Sequence, residues 1–289
     1  MEAVAVCSAH TVRPPANFIG SCALHAASGH GLIFGMGLSL LPPQLMAIRG
    51  IFITGTDTGV GKTHVTALLL AELRRRGLPA AGFKPIACGS GGRDDARTYW
   101  KLMDNEVPLD VINPVYLRHP LAPSVAAKLE GRRIDLDKIK SVFCLLTSDF
   151  SPVLVEGAGG LLVPILSRCQ KAARNSVPYL SPVGHAIACR RSGTQPYFVA
   201  DLARQLDLPL IIVARLGLGT LNHTLLTVRQ AQAMKLKIAG VILNDTTGQR
   251  GLAERTNAQT IAELTGVPLL GVVPYGRARG ISQICDRLW

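Results

Sequence analysis

Three groups of residues in this chain have the types and spacing to handle phosphate. The first is "GTDTGVGKT", residues 55–63, where Gly59, Val60, Gly61, Lys62, Thr63 and His64 follow a short apolar run and open a helical pattern. Backbone N–H groups of such a turn, and of the first helical turn beyond it, point at phosphate oxygens, and the helix dipole adds to their pull. Lys62 is placed to reach the β- and γ-phosphates of a nucleotide, and the Thr63 hydroxyl to ligate magnesium. The spacing departs from the common loop G-x-x-x-x-G-K-[ST], because Gly55 lies one residue too far back and Thr56 stands at the consensus glycine.

The second group supplies the carboxylates that magnesium needs beside a loop threonine. Glu156 ends the apolar run "PVLVE" and precedes Gly157, Ala158 and Gly159; Asp94 and Asp95 follow a second strand pattern and are expected in a loop. The third is Lys84, which directly follows "AAGF", with Pro85 forcing an extended turn. A lysine there projects toward the same crevice as Lys62. A second cation beside a γ-phosphate suits phosphoryl transfer to a negatively charged acceptor. His64, Cys88 and His223 are candidate bases or nucleophiles by location alone, which fits a reaction whose substrate brings its own nucleophile.

The elements that must position these groups follow from hydrophobic patterning. Continuous apolar runs at 51–54, 80–86, 152–160, 208–216, 238–245 and 268–275 read as strands. Amphipathic segments at 62–77, 197–206, 221–235 and 252–266 read as helices. Strands that are apolar throughout and alternate with helices predict a single doubly wound, mostly parallel α/β sheet covered on both faces. Ligands bind such sheets beyond the carboxyl ends of the strands, where "GTDTGVGKT", "KPIACGS", "EGAGG", "ND" and "PYG" all fall.

At 289 residues with 48% hydrophobic and 17% charged residues, the chain has material for a substantial core. The net charge of +12 does not read as a nucleic-acid face. Arg168, Lys171, Arg174, Arg190 and Arg191 sit without an acidic neighbour in one proline-punctuated stretch, 166–196, and the other basic residues are dispersed. That stretch reads as an irregular insertion into the domain spanning 46–289. Seven cysteines without a C-x-x-C pair read as reduced thiols of a cytoplasmic protein. Residues 1–45 are expected to be a disordered extension or a start placed too early, since Met46 opens a natural first strand. Their apolar run is too short for a membrane span.

The motifs "GTDTGVGKT", "GFKPIACGS", "DDA", "VEGAGGLLVPI", "LGTLNH", "GVILND" and "LLGVVPY", in this order, resemble those of the dethiobiotin synthetases, enzymes of biotin synthesis in the P-loop NTPase superfamily. The likeness runs from about residue 47 to 276. It implies that 7,8-diaminopelargonate captures carbon dioxide as a carbamate, whose oxygen attacks the γ-phosphate of ATP. The neighbouring amine then closes a cyclic urea, releasing ADP and phosphate. By motif position, Lys84 would neutralise carbamate and γ-phosphate charge with Lys62, and Thr58 would face the carbamate. Thr63, Asp95 and Glu156 would hold Mg2+, Asp95 being preferred to Asp94 for its place in the "DA" pair. Residues 59–64 and 157–159 would line the phosphates, and Asn244, Asp245 and the turn Pro274, Tyr275, Gly276 the adenine. Gly219, Thr220 and Asn222 would approach the substrate carboxylate from the partner of a homodimer. No membrane or nucleic-acid partner is implied.

Three departures accompany the likeness: Cys88 where the family commonly has a hydroxyl residue, the insertion, and a closing segment "RARGISQICDRLW" unlike the family's usual one. They keep open an alternative, a catalytically impaired ATP-binding or regulatory module on the same fold.

Overall fold

Apolar runs without polar interruption can be buried only in the interior of a sheet, and here they form its central strands. In a computed structural model, residues 49–89, 91, 93–167 and 195–289 are described; the expectations for residues 1–45, and for most of the insertion, lie outside them. In chain order the elements are β1 (Gly50–Gly55), α1 (Lys62–Arg75), β2 (Ala81–Phe83), β3 (Ile86–Cys88), α2 (Asp94–Leu102), α3 (Leu109–Ile112), β4 (Val115–Leu117), α4 (Pro123–Leu129), α5 (Leu136–Asp149) and β5 (Val153–Gly160). They continue with β6 (Pro164–Leu166), β7 (Tyr197–Phe198), α6 (Val199–Gln205), β8 (Leu210–Arg215), α7 (Thr220–Ala233), β9 (Ile238–Asn244), α8 (Leu252–Thr265), β10 (Leu269–Val273) and α9 (Ile281–Leu288).

The main sheet has the order β10-β9-β8-β1-β5-β2, and every pairing in it is parallel. Alternate residues of one strand enter different cores, as the two-residue period of a strand requires. Ile212 and Ala214 of β8 join Val241, Leu243, Val228 and Ile261, under α7 and α8. Ile211 and Val213 instead join Leu69, Leu73, Ile284 and Leu288, under α1 and α9. The expected doubly wound architecture is present. The closing segment forms the amphipathic helix α9 with Ile281, Ile284, Cys285 and Leu288 buried.

The structure corrects the sequence reading at three points. The run 80–86 is not one strand: β2 ends at Phe83, and β3 pairs with β4 in a separate two-stranded sheet. Lys84 N–H turns aside to Ile112 O at 2.8 Å, and Pro85 has no N–H with which to continue the ladder. Asp94 and Asp95 are not in a loop but in the first turn of α2, where carboxylates favour a helix N-terminus. The helix expected over 197–206 starts at Val199, because Tyr197 and Phe198 pair antiparallel with β6. Leu166 and Tyr197 are register partners in that pairing, so the chain leaves for the insertion and returns from it at one place. Among the described residues, no helix is long and apolar enough to cross a membrane.

Candidate nucleotide and phosphoryl-transfer site

The carboxyl ends of β1, β2 and β5 deliver the polar groups together. Between β1 and α1 the loop turns through two left-handed glycines, Gly59 at φ 73° and Gly61 at φ 91°. Gly61 caps α1 with no side-chain hydrogen bond, which leaves the first-turn N–H groups for an anion. The loop curls back so tightly that a Cβ on Gly55 would lie 2.8 Å from Asp57 O and 2.9 Å from Val60 Cγ2. Lys62 Nζ spans this curl, donating to Asp57 O at 3.0 Å. Burial lowers the Lys62 pKa; Glu156 opposes the shift and the neighbouring Lys84 adds to it.

Thr63, Asp95 and Glu156, from three elements, bring three oxygens to one point. Thr63 Oγ1 lies 2.9 Å from both Asp95 Oδ1 and Glu156 Oε1. One hydroxyl has one proton and cannot serve both carboxylates, so the cluster is rich in acceptors. Two carboxylates and a hydroxyl are a hard-oxygen set of the kind Mg2+ takes alongside water and phosphate.

Lys84 neutralises this cluster. Its Nζ is 2.7 Å from Glu156 Oε1 and 2.7 Å from Asp95 Oδ2, with its side chain only 7% exposed. Burial alone would lower its pKa, but the charges and hydrogen bonds of Glu156 and Asp95 outweigh it and raise the pKa. Burial would likewise raise that of Asp95, and Lys84 reverses the shift, with help from Thr63 and Lys62. Glu156 is buried at 1% exposure and accepts a further hydrogen bond from Tyr99. Buried Asn113 fixes the Lys84 backbone, its Nδ2 donating to Lys84 O at 2.7 Å and to Val115 O at 2.9 Å. Sequence reasoning missed Asn113 and Tyr99. The available signals were Asn-Pro ahead of a short apolar run, and a tyrosine one helical turn beyond Asp95.

The glycine run at the end of β5 lies against the phosphate loop. Gly160 is the register partner of Gly55, and a Cβ on Gly159 would lie 3.7 Å from Thr58 Oγ1. Gly157 carries no side chain where one would meet Phe52 and Val199 within 3.0 Å. Cys88, at the end of β3, is half-buried; burial pushes its pKa up to about 11 although Lys84 pulls it down. His64 is exposed.

The ends of β9 and β10 form the other side. Asn244 is buried, donates Nδ2 to Val60 O at 3.0 Å, and holds its Oδ1 without a partner among the described residues. Asp245 is spent on its own turn. Its Oδ1 accepts from Thr247 N at 3.1 Å and Gly248 N at 2.8 Å, and its Oδ2 from Arg250 at 2.6 Å. Burial would raise the Asp245 pKa, and these donors instead hold it low. The half-exposed ring of Tyr275, between Pro274 and the left-handed Gly276, lies beside Gly248. After β8, Gly219 caps α7 in a left-handed conformation. Thr220 is buried beside Thr224, Asn222 is exposed, and Leu218 is 92% exposed.

A family described as an AAA domain matches residues 49–173 and 190–279. The ATP-dependent dethiobiotin synthetase BioD of Anaeromyxobacter sp. (strain K) is 38% identical over 244 residues, covering 82% of this chain and 97% of its own length. The chain belongs to the ATP-dependent dethiobiotin synthetase family. The family members of Thermodesulfovibrio yellowstonii, 36% identical with 78% of this chain and 88% of the relative covered, and Bacillus licheniformis, 37% identical with 82% and 90% covered, are similarly close. Among solved structures, the MinC:MinD complex of Aquifex aeolicus matches with a TM-score of 0.49 at 16% identity, covering 83% of this chain and 95% of that one. The dethiobiotin synthetase chain passes unmatched between the two AAA-domain stretches only at 174–189, inside the insertion.

Proposed function

We propose that this chain is an ATP-dependent cyclo-ligase that converts 7,8-diaminopelargonate and carbon dioxide into dethiobiotin, with release of ADP and phosphate. The observation that carries the reading is buried Lys84, lodged against Glu156 and Asp95 beside the Lys62 loop. A cation so placed suits an acceptor that arrives negatively charged, as a carbamate does.

The Thr63, Asp95 and Glu156 oxygens fit Mg2+, and in the proposal they hold it. Bound there, Mg2+ would supply charge neutralisation to the nucleotide phosphates. The N–H groups of residues 59–64 and the Lys62 ammonium cradle the phosphates, with 157–159 closing the opposite wall. Thr58 donates to the carbamate, and Lys84 balances the charge that builds between carbamate and γ-phosphate. The carbamate oxygen forms its bond to phosphorus as the bond to ADP breaks. The second amine then attacks the resulting anhydride carbon, expels phosphate, loses its proton and closes the ring. Because the substrate is the nucleophile, the site needs no catalytic base.

In the proposal the Asn244 amide, whose Oδ1 has no hydrogen-bond partner among the described residues, reads the exocyclic amine of adenine, and Asp245 shapes the turn that sets Gly248 against Tyr275. The proposal also places the chain in the cytoplasm as a homodimer, with Gly219, Thr220 and Asn222 serving the partner's diamine carboxylate. Exposed Leu218 in that loop is consistent with a covered position. The test is phosphate release by the purified chain with ATP, magnesium and bicarbonate, with and without 7,8-diaminopelargonate. Diamine-dependent release together with dethiobiotin supports the proposal. Nucleotide binding without diamine-dependent release would overturn it in favour of a silent ATP-binding module.

A further inference from the structure

Glu156 has two oxygens with different partners. Oε1 faces Thr63 and Lys84, while Oε2 receives the Tyr99 hydroxyl. The terminal torsion of a glutamate is soft. Left to itself, a buried carboxylate beside an ammonium gains by turning both oxygens toward it. Tyr99 removes that freedom by giving Oε2 a separate donor.

The delivery of this hydroxyl is built into the packing of α2 on β2. Tyr99 is fully buried and stands one helical turn beyond Asp95, so a single helix presents both groups to the cluster. The ring passes over Gly82: a Cβ there would lie 2.7 Å from Tyr99 Cγ and 2.8 Å from its Cβ. One turn further, Met103 Sδ accepts from Gly82 N at 3.4 Å, which fixes the helix against the strand.

We propose that Tyr99 is a positioning residue of the phosphoryl-transfer site, whose hydroxyl holds Glu156 Oε2 so that Oε1 stays presented to Thr63, Lys84 and the cation. The inference rests on the reading of Thr63, Asp95 and Glu156 as a magnesium site. Tyr99→Phe keeps the ring over Gly82 and removes only the donor. The experiment is calorimetric titration of ADP into wild type and Tyr99→Phe at 25 °C across a series of magnesium concentrations and in EDTA, with thermal melts of both. Removing an outer partner of a metal ligand commonly weakens metal affinity 10- to 100-fold. The half-saturating magnesium concentration is therefore expected to rise about tenfold in the variant, with ADP affinity in EDTA unchanged. A half-saturating concentration within about twofold of wild type, even with a lowered melting temperature, would reduce Tyr99 to a packing residue and overturn the proposal. Wild-type ADP binding that ignores magnesium would instead remove the metal site itself, and the inference with it.

Discussion

Gly61 and Asn244 leave each other no spare room: a Cβ at position 61 would lie 2.0 Å from Asn244 Nδ2. The same amide donates to Val60 O at 3.0 Å. The end of β9, two strands away from β1 in the sheet, therefore props the phosphate loop from behind. Only a glycine at 61 permits both the left-handed turn and this approach. Under the proposed function, the group that would meet the base is thus in contact with the loop that would meet the phosphates.

Asn244→Ala removes the prop and the unpartnered Oδ1 acceptor together. Loss of a buried hydrogen-bonding group costs about 1–3 kcal/mol, so ADP affinity is expected to fall about tenfold or more, while saturating ATP restores most of the turnover. Calorimetric ADP binding and the KM for ATP check this. Unchanged ADP affinity would show that the base sits elsewhere.

Lys84→Met leaves Glu156 and Asp95 facing each other without their shared cation. Breaking a buried pair from one side typically costs about 3–5 kcal/mol, and losing an electrostatic stabiliser of the transition state costs about 10²–10³ in turnover. Magnesium should recover more thermal stability in this variant than in wild type, because it replaces the missing charge. The Lys84 pKa is raised above the ordinary lysine value of 10.5. Its contribution is thus fully present below 10.5 and lost only as pH rises through the still higher folded value. Between about pH 6 and 9 the wild-type rate should therefore show no alkaline decline from Lys84. Melting curves with and without magnesium, and a pH–rate profile, read both effects; equal magnesium stabilisation in variant and wild type would contradict the charge-replacement account.

The central strands and the phosphate loop were legible because each is local: a continuous apolar run followed by Gly-Lys-Thr needs no distant partner to be recognised. Lys62, Thr63, Lys84 and Glu156, which the structure gathers in one cluster, stood out for the same reason, each at the end or start of a pattern, whereas Asp95 was told from Asp94 only by the family resemblance. What was not legible depends on contacts between distant segments. The break at Lys84 comes from Ile112 O and from β4, which follow some thirty residues later. Tyr99 looks like one aromatic in a short amphipathic helix until Gly82 leaves room for its ring. Asp245 reads as a ligand-facing acid, yet the turn at 247–250 takes its oxygens.

Helix α9 is stapled to α1 through charge, and the staple has an acid limit. Arg76 reaches Glu72 Oε1 at 2.8 Å, Asp286 Oδ1 at 2.7 Å and Ser282 Oγ at 2.7 Å. Hydrogen bonds from Arg75 first, then Arg76 and Ser282, outweigh burial and bring the Glu72 pKa down to about 2 from 4.5. A depressed carboxylate stabilises above its unfolded pKa and loses that contribution as pH falls through the folded one. Glu72→Gln should therefore be less stable than wild type at neutral pH, with the gap closing between pH 4.5 and about 2. Urea midpoints of the two proteins at neutral and acid pH test this, and a gap that stays constant on acidification would contradict it.

The insertion is expected to be thermodynamically cheap. Its flanks are fixed by the Leu166–Tyr197 pairing, and Val199 N and Ala200 N are bound to Val163 O and Leu161 O just beyond it. A loop whose ends are held by other contacts changes its closure free energy by only about 0.6 kcal/mol for each doubling in length. Replacing residues 174–189 with a short glycine–serine linker should therefore shift stability by less than about 1 kcal/mol and preserve diamine-dependent phosphate release. Because the Lys84–Glu156 cluster is built from β2, β5 and α2, none of its groups is carried by the replaced stretch. Denaturation midpoints and the phosphate-release assay on the shortened chain decide the matter. Loss of cooperative unfolding would mean that 174–189 packs into the core, whereas retained folding with lost activity would assign that stretch a direct part in the site.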